Sequence, residues 1–392
     1  MKTVKYIPAL GLAALALLSG YTTKDRSYSK YISVADTSEP AITDASADLP
    51  LNQIKLPKGF SISVYAEVED ARSMALSPSG ILFIGNKGED KVYAVKDTNG
   101  DGIADKKWIL AKGLNMPNGV AFKDGDLYIA EVSKISKIKD VEKNLDSPKL
   151  EVVYDKYPSD AHHGWKYIAF GPDGKLYVPV GAPCNICEPK DPYASITRIN
   201  ADGTGMEVVQ RGVRNTVGFT WHPTTKNIWF TDNGRDMLGD DVPPCELNTA
   251  TKAGEHFGYP YCHGGTIKDP EFGEKRACSE FTKPAQNLGA HVAPLGLKFY
   301  TGKQFPAEYK NQIILAEHGS WNRSKKSGYK LSLVKVDASS KATSYTTFAS
   351  GWLDDATQKA WGRPVDVLLL PDGSMLVSDD QAGVVYRITY KG

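Results

Sequence analysis

The sequence predicts an all-β protein, a six-bladed β-propeller with long loop insertions in the later blades, on three observations. A phrase recurs along the chain: an apolar run, a turn built on Pro-Asp-Gly or a variant of it, a second apolar run and then a third. It returns at a spacing of roughly 40 to 50 residues, the period of propeller blades, which bury their faces only against their neighbours. About six copies fill the chain beyond its first fifty residues, and toroidal folds of this kind run long as one unit.

Taken in chain order, the first segment reads as an export signal. Met1 to Lys5 is basic, Ile7 to Leu18 is apolar but short for a bilayer span, and Ser19-Gly20 ends it with small residues. Residues 1–20 are therefore expected to be a signal peptide whose cleavage leaves a periplasmic or secreted protein with no transmembrane domain. Leu17-Leu18-Ser19-Gly20 resembles a bacterial lipoprotein signal, but Tyr21 stands where the lipidated cysteine belongs, which argues against an anchor. Residues 21–50, rich in Ser, Thr, Asp and Ala, read as a flexible leader, and residues 51–392 as the propeller domain.

The first repeat runs from Met74 to Ile84 and follows Arg72. After it comes Asp97-Thr-Asn99-Gly-Asp101-Gly-Ile103-Ala-Asp105, whose alternating oxygen-bearing side chains and central glycine match the front of a calcium loop. Trp108 occupies the place of the bidentate glutamate. This segment reads as a structural Ca²⁺ site between outer strands, with a plain Asp/Gly turn as the alternative.

The second repeat, Gly119 to Ile129, follows Asn115 and Asn118; the third, Tyr167 to Val178, follows Asp160-Ala-His162-His163. The fourth, Val217 to Phe230, follows Arg214-Asn215, and the fifth, Leu295 to Tyr300 with Gln312 to Ala316, follows His291. The sixth, Val365 to Val377, follows Gly362-Arg363-Pro364. The innermost strand of each blade begins near one mouth of the channel, so these side chains are expected to converge there. Guanidinium groups bind carboxylates bidentately and a neutral imidazole accepts a proton, so such a ring suits a multiply carboxylated ligand. Thr231-Asp-Asn233-Gly234-Arg235 offers loop carbonyls of the kind a hard cation prefers. Ala316-Glu-His318-Gly-Ser-Trp321-Asn-Arg323 occupies the matching place in the fifth repeat, with Trp321 divided between ligand stacking and core.

Lysine and arginine total 47 against 46 acidic residues, a net charge of +1 without long runs of either sign, so a nucleic-acid partner is not expected. Five cysteines in an exported chain suggest oxidation. Cys184-Asn-Ile-Cys187 has no thioredoxin-like βαβ pattern around it, whereas Cys245, Cys262 and Cys278 fall in one long insertion. A structural disulfide in or near that insertion, such as Cys262 with Cys278, is preferred to a redox motif; a zinc site using these thiols with His256 or His263 is the other reading.

Several motifs in order carry a family resemblance: His163 eight residues before Gly171-Pro-Asp-Gly174, Arg214-Asn215 followed by Gly218, and Thr231 to Asp236. They continue with Gly239 to Pro244, Glu246-Leu-Asn248, Gly258-Tyr-Pro260, His318 to Arg323 and Gly362 to Asp366. From about residue 50 to 390 the chain resembles the glucose/sorbosone dehydrogenase family, soluble six-bladed sugar dehydrogenases that use pyrroloquinoline quinone (PQQ), and within it the L-sorbosone/pyranose dehydrogenase branch. The resemblance implies that His163 is the general base and that Arg214 stabilises charge on the reactive oxygen. It further implies that Asn215 and Asn233 hold the cofactor, that the carbonyls of Gly234 and Arg235 hold a catalytic Ca²⁺, and that Arg363 clamps a cofactor carboxylate. His162, Val365 and Asn233 stand where the glucose branch has an aspartate, a second arginine and a glutamine; Arg72, His318 and Arg323 are the residues expected to make up the charge. The implied activity is hydride transfer from an aldose, pyranose or sorbosone-type sugar to the quinone, with electrons passed to an unidentified acceptor, a quinone or a cytochrome. A calcium-dependent lactonase or esterase of the six-bladed type and a non-catalytic sugar-binding propeller are the two rival readings.

Overall fold

The computed structural model describes residues 49–392; the expected signal peptide, and the expected leader up to residue 48, lie outside the described residues. Six antiparallel sheets follow one another along the chain. Blade 1 comprises Met74–Leu76, Leu82–Ile84, Val92–Lys96 and Lys106–Ala111; blade 2, Gly119–Lys123, Asp126–Ala130, Ile135–Ile138 and Leu150–Tyr154. Blade 3 holds Ala169–Phe170, Leu176–Val180, Ser195–Ile199 and Glu207–Arg211, and blade 4 holds Phe219–Trp221, Ile228–Asp232, Pro244–Ala250 and Gln286–Ala290. Blade 5 is Pro294–Phe299, Ile313–Glu317, Lys330–Val336 and Ala342–Ser350. Blade 6 takes Pro364–Leu369, Met375–Asp379 and Val384–Tyr390 from the end of the chain and its outer strand, Phe60–Glu67, from the beginning. That pairing closes the ring, and Phe60 seals it by packing edge-on against Phe305 and Phe348 at 4.7 and 5.3 Å.

The second strands of blades 4, 5 and 6 are buried at every position, because neighbouring blades cover both of their faces. Their sequences accordingly read as continuous apolar runs rather than alternating ones. The tightest turn of the repeated phrase is Asp124-Gly125 in blade 2: both residues have positive φ, 51° and 90°, and they join Lys123 to Asp126 as a two-residue hairpin. The long insertion expected in the later blades lies between Ala250 and Gln286. It lends Glu255–His256 to blade 3 as a fifth, parallel strand and is cross-linked by a Cys262–Cys278 disulfide. A smaller hairpin, Leu353–Asp354 with Lys359–Ala360, precedes blade 6.

Antiparallel pairing sets the start of each first strand beside the end of the second, as in Met74 with Ile84, Phe219 with Phe230 and Pro364 with Asp379. Residues before the one and after the other therefore share a single mouth. Val217, Leu295 and Val365, with Trp165 packed against them, come from the starts of blades 4, 5, 6 and 3. Side chains from four blades meet only on the axis, so this cluster plugs the channel just inside that mouth.

Candidate active site

His163 occupies a left-handed turn, φ 50°, at the entrance to blade 3. Gly181 lies beneath it, and a Cβ there would stand 2.5 Å from the Cβ of His163, so only glycine lets the histidine seat against the strand end. The Nδ1–H donates to the Ala182 carbonyl at 2.9 Å, which leaves the lone pair on Nε2. Burial, then the Arg214 charge and the His162 ring, push the pKa down to about 2. The imidazole is therefore a neutral acceptor at physiological pH.

Arg214 and Asn215 owe their position to Asp232, the last residue of the second strand of blade 4. Its two carboxylate oxygens accept the backbone N–H groups of Arg214 at 2.9 Å and of Asn215 at 2.7 Å. The Arg214 side chain is buried and heavily engaged: Nε donates to the Asn185 carbonyl and Nη2 to Asn185 Oδ1, both at 2.9 Å. Nη1 reaches the Asn233 carbonyl at 3.2 Å, and Nη2 the Asp236 carboxylate at 3.3 Å. Asn233 spends its amide on the carbonyls of Asn215 and Pro294, whereas among the described residues nothing hydrogen-bonds the Asn215 side chain. The carbonyls of Gly234 and Arg235 accept no hydrogen bond among the described residues, but the Arg235 guanidinium turns to Asp269 and Glu271 in the insertion, at 2.6 and 3.1 Å. A small cavity behind Arg214 is lined by Asp232, Glu246, Tyr259 and His263. Burial raises the pKa of both Asp232 and Glu246.

Across the mouth, Arg72 donates to Asn118 and to Asp380, each at 2.8 Å, and Asp380 also takes Nε2 of His318 at 2.8 Å. Burial alone would lift the Asp380 pKa, yet His318 and Arg72 hold it well below the usual carboxylate range. Burial pushes His318 down to about 4, against the pull of Asp380. Asp379 caps the start of blade 6 by accepting the Arg363 backbone N–H at 2.8 Å. The Arg363 guanidinium donates to the carbonyls of His318 and Gly319 and stands 5.4 Å over the Tyr329 ring, with no carboxylate bonded to it among the described residues. Lys87 likewise forms no ion pair among the described residues; its ammonium lies 4.0 Å over Trp165 of the axial plug. His163 feels the charges of Arg214 and Lys87, and Lys87 those of Arg72, Asp380 and Arg363, so these groups make one electrostatic site.

Other expected residues lie elsewhere. Arg323 sits on the rim, bonded to the Asp240 carbonyl and paired with Asp241 at 2.9 Å, which ties the loop bearing the exposed Trp321 to the loop between the second and third strands of blade 4. The Asp97 to Asp105 segment is an outer turn of blade 1, in which Asp97 accepts the N–H groups of Gly100 and Gly102 and Asp105 accepts from Thr98. Ile103 is exposed there. Cys184 and Cys187 form a second disulfide and Cys245 is buried and free. No cluster of three His, Cys, Asp or Glu side chains among the described residues is arranged to hold a metal.

Lys87, Asn185 and the carboxylates at the ends of the second strands do not stand ahead of a first strand, the only place to which the aligned repeats point. A signal for the latter was present. Four residues after Leu82, Leu127, Ile228, Ile313 and Met375 stand Asn86, Glu131, Asp232, Glu317 and Asp379, one polar group at the same offset in five blades.

The family described as "Domain of unknown function (DUF7133)" matches residues 46–387. An uncharacterized protein of Borreliella burgdorferi is 36% identical over 366 residues, covering 90% of this chain and 94% of that one. The holo pyranose dehydrogenase PQQ domain of Coprinopsis cinerea superposes with a TM-score of 0.74 at 17% identity, covering 86% of this chain and 97% of that one. The PQQ-bound aldose sugar dehydrogenase of Streptomyces coelicolor gives a TM-score of 0.62 at 18% identity, covering 86% of this chain and 100% of that one. At these identities the likeness establishes the propeller fold.

Proposed function

We propose that this chain, which belongs to the DUF7133 family, is a PQQ- and Ca²⁺-dependent sugar dehydrogenase. The substrate is an aldose, pyranose or sorbosone-type sugar, and the electrons leave to a quinone or cytochrome acceptor. The observation that carries this reading is the composition of the axial pocket: a neutral, oriented imidazole opposite two cations, Lys87 and Arg363, that form no ion pair among the described residues. A tricarboxylated quinone meets that need, because charge-assisted bonds to carboxylates are what such cations offer. The PQQ-containing proteins of the same fold support it.

Lys87 and Arg363 would hold cofactor carboxylates, Arg72 and His318 would hold the pocket wall through Asp380, and the uncommitted Asn215 amide would bond the ring system. The open carbonyls of Gly234 and Arg235 would hold the Ca²⁺, and Arg323 would fix the rim. When bound, the quinone supplies a two-electron acceptor that the cation polarises. The chain's own residues do the rest. His163 Nε2 takes the sugar's hydroxyl proton while Nδ1 stays bonded to the Ala182 carbonyl, so the imidazolium forms already oriented. Of the five N–H donors of Arg214, one on Nη1 is left by the bonds described above, and it is available to charge developing on oxygen. The Trp165, Val217, Leu295 and Val365 plug keeps water from entering through the channel. The outer turn of Asp97, Asn99, Asp101, Ile103 and Asp105 takes a second, structural Ca²⁺, and the mature protein works in the periplasm or outside the cell.

Purified protein supplied with PQQ and Ca²⁺ is expected to reduce an artificial dye when given aldoses. Silence across a broad sugar panel, with lactone hydrolysis instead, would replace this reading by the lactonase one.

A further inference from the structure

The loop between Cys184 and Cys187 has no part in the reaction as drawn, yet it holds the Arg214 guanidinium by two hydrogen bonds. Asn185 meets Arg214 twice on one edge of the guanidinium, through its carbonyl to Nε and through Oδ1 to Nη2, both at 2.9 Å. The same Oδ1 accepts the Asp236 N–H at 2.9 Å, and Nδ2 donates to the Asp236 carbonyl at 3.1 Å. One side chain thus joins the guanidinium to the loop between the second and third strands of blade 4. The disulfide closes the turn that carries Asn185, and the Tyr259 hydroxyl fastens it by accepting the Cys187 N–H at 3.1 Å and lying 3.4 Å from Cys184 Sγ.

A long arginine has many rotamers, and a preorganised donor helps only if it is already in place when charge develops. We infer that Asn185, braced by the Cys184–Cys187 disulfide, is a positioning residue that fixes the plane of the Arg214 guanidinium; the catalytic consequence rests on the role proposed above for Arg214. The neutral amide locks the fork without cancelling its charge, which a carboxylate in its place would do. Disulfide-closed turns suit this task because they keep the acceptor from following the arginine away.

The test uses Asn185→Ala and the double variant Cys184→Ser/Cys187→Ser in the full chain. Hydrogen exchange of the Arg214 Nε–H, followed by NMR, reads the positioning directly and needs neither cofactor nor substrate. Asn185→Ala is expected to speed that exchange at least about tenfold and to lower kcat about 10- to 100-fold, the range for a supporting group one bond removed. PQQ affinity and KM should stay within about threefold, because the groups argued to hold the ligands are untouched. The double serine variant should fall between this and the parent. Unchanged exchange in Asn185→Ala, or equal losses in affinity and turnover, would overturn the inference. A parent protein that reduces no dye would sink the proposed function and still leave the exchange result readable.

Discussion

The two sides of the axial mouth solve different problems. On the blade 3 and 4 side, the two key groups are held mainly by neutral oxygens: His163 by the Ala182 carbonyl, and Arg214 by Asn185 and the Asn233 carbonyl, with the Asp236 carboxylate farther off at 3.3 Å. On the blade 6 and 1 side, Arg72 is balanced by Asp380, while Lys87 and Arg363 form no ion pair among the described residues. The first arrangement fixes geometry chiefly through neutral acceptors; the second leaves an unspent positive field. A reaction needs the one and retention of an anionic cofactor the other, so damage to the two sides should separate in kinetics.

The largest expected effect is on the geometric side. His163→Ala should cost about 10²- to 10⁴-fold in turnover, the span of general-base catalysis, with cofactor affinity nearly unchanged. Arg214→Met should cost about 10²- to 10³-fold in kcat, as loss of a charge-stabilising donor does. Charge-side changes should invert the pattern: Lys87→Gln or Arg363→Gln is expected to weaken PQQ binding about 10- to 100-fold, corresponding to about 1.5 to 3 kcal/mol for a charged hydrogen bond, and to reduce its salt dependence. Their kcat at saturating cofactor should move little.

The two sides also communicate through His163. Its pKa lies near 2 because burial and the surrounding cations oppose its protonation. A bound polyanion offsets the cationic part, so NMR titration should show the His163 pKa rising when PQQ is added. The folded value lies below the ordinary 6.5, so this group's share of stability is present above pH 6.5 and is lost as pH falls toward 2. Glu246 has the opposite sign. Burial raises its pKa, so the folded state holds a proton that the unfolded state releases, and its contribution is full below pH 4.5 and is lost as pH rises through the folded value. Glu246→Gln is the smallest effect expected: a rise in Tm of about 2 to 4 °C at pH 8, with none at pH 4. The side chain of Asn248, now bonded to Glu246 through Nδ2 with Oδ1 unpaired, can flip to accept from the new amide.

Blade number, strand order and the shared mouth were legible because buried second strands and Asp/Gly turns repeat locally. The closure by Phe60–Glu67 was not, since one strand at the far end of the chain carries no repeat phrase of its own. At the site, His163, Arg214 and Arg363 were legible as residues ahead of aligned first strands. Lys87 and Asp380 follow second strands, and no single residue there announces that it faces the axis. Asn185 was hidden for another reason: its role depends on a turn closed by a disulfide, and spacing alone favoured the insertion cysteines. That expectation held for Cys262–Cys278, and the structure adds Cys184–Cys187.

The most direct measurement is equilibrium titration of PQQ, with Ca²⁺ present, into three proteins in parallel: the parent, His163→Ala and the Lys87→Gln/Arg363→Gln double variant. One equivalent should bind the parent and His163→Ala with the same affinity, while the double variant loses at least about 100-fold if the two charges act independently. No binding to the parent, or equal affinity in all three, would contradict an axial pocket built to hold a carboxylated quinone.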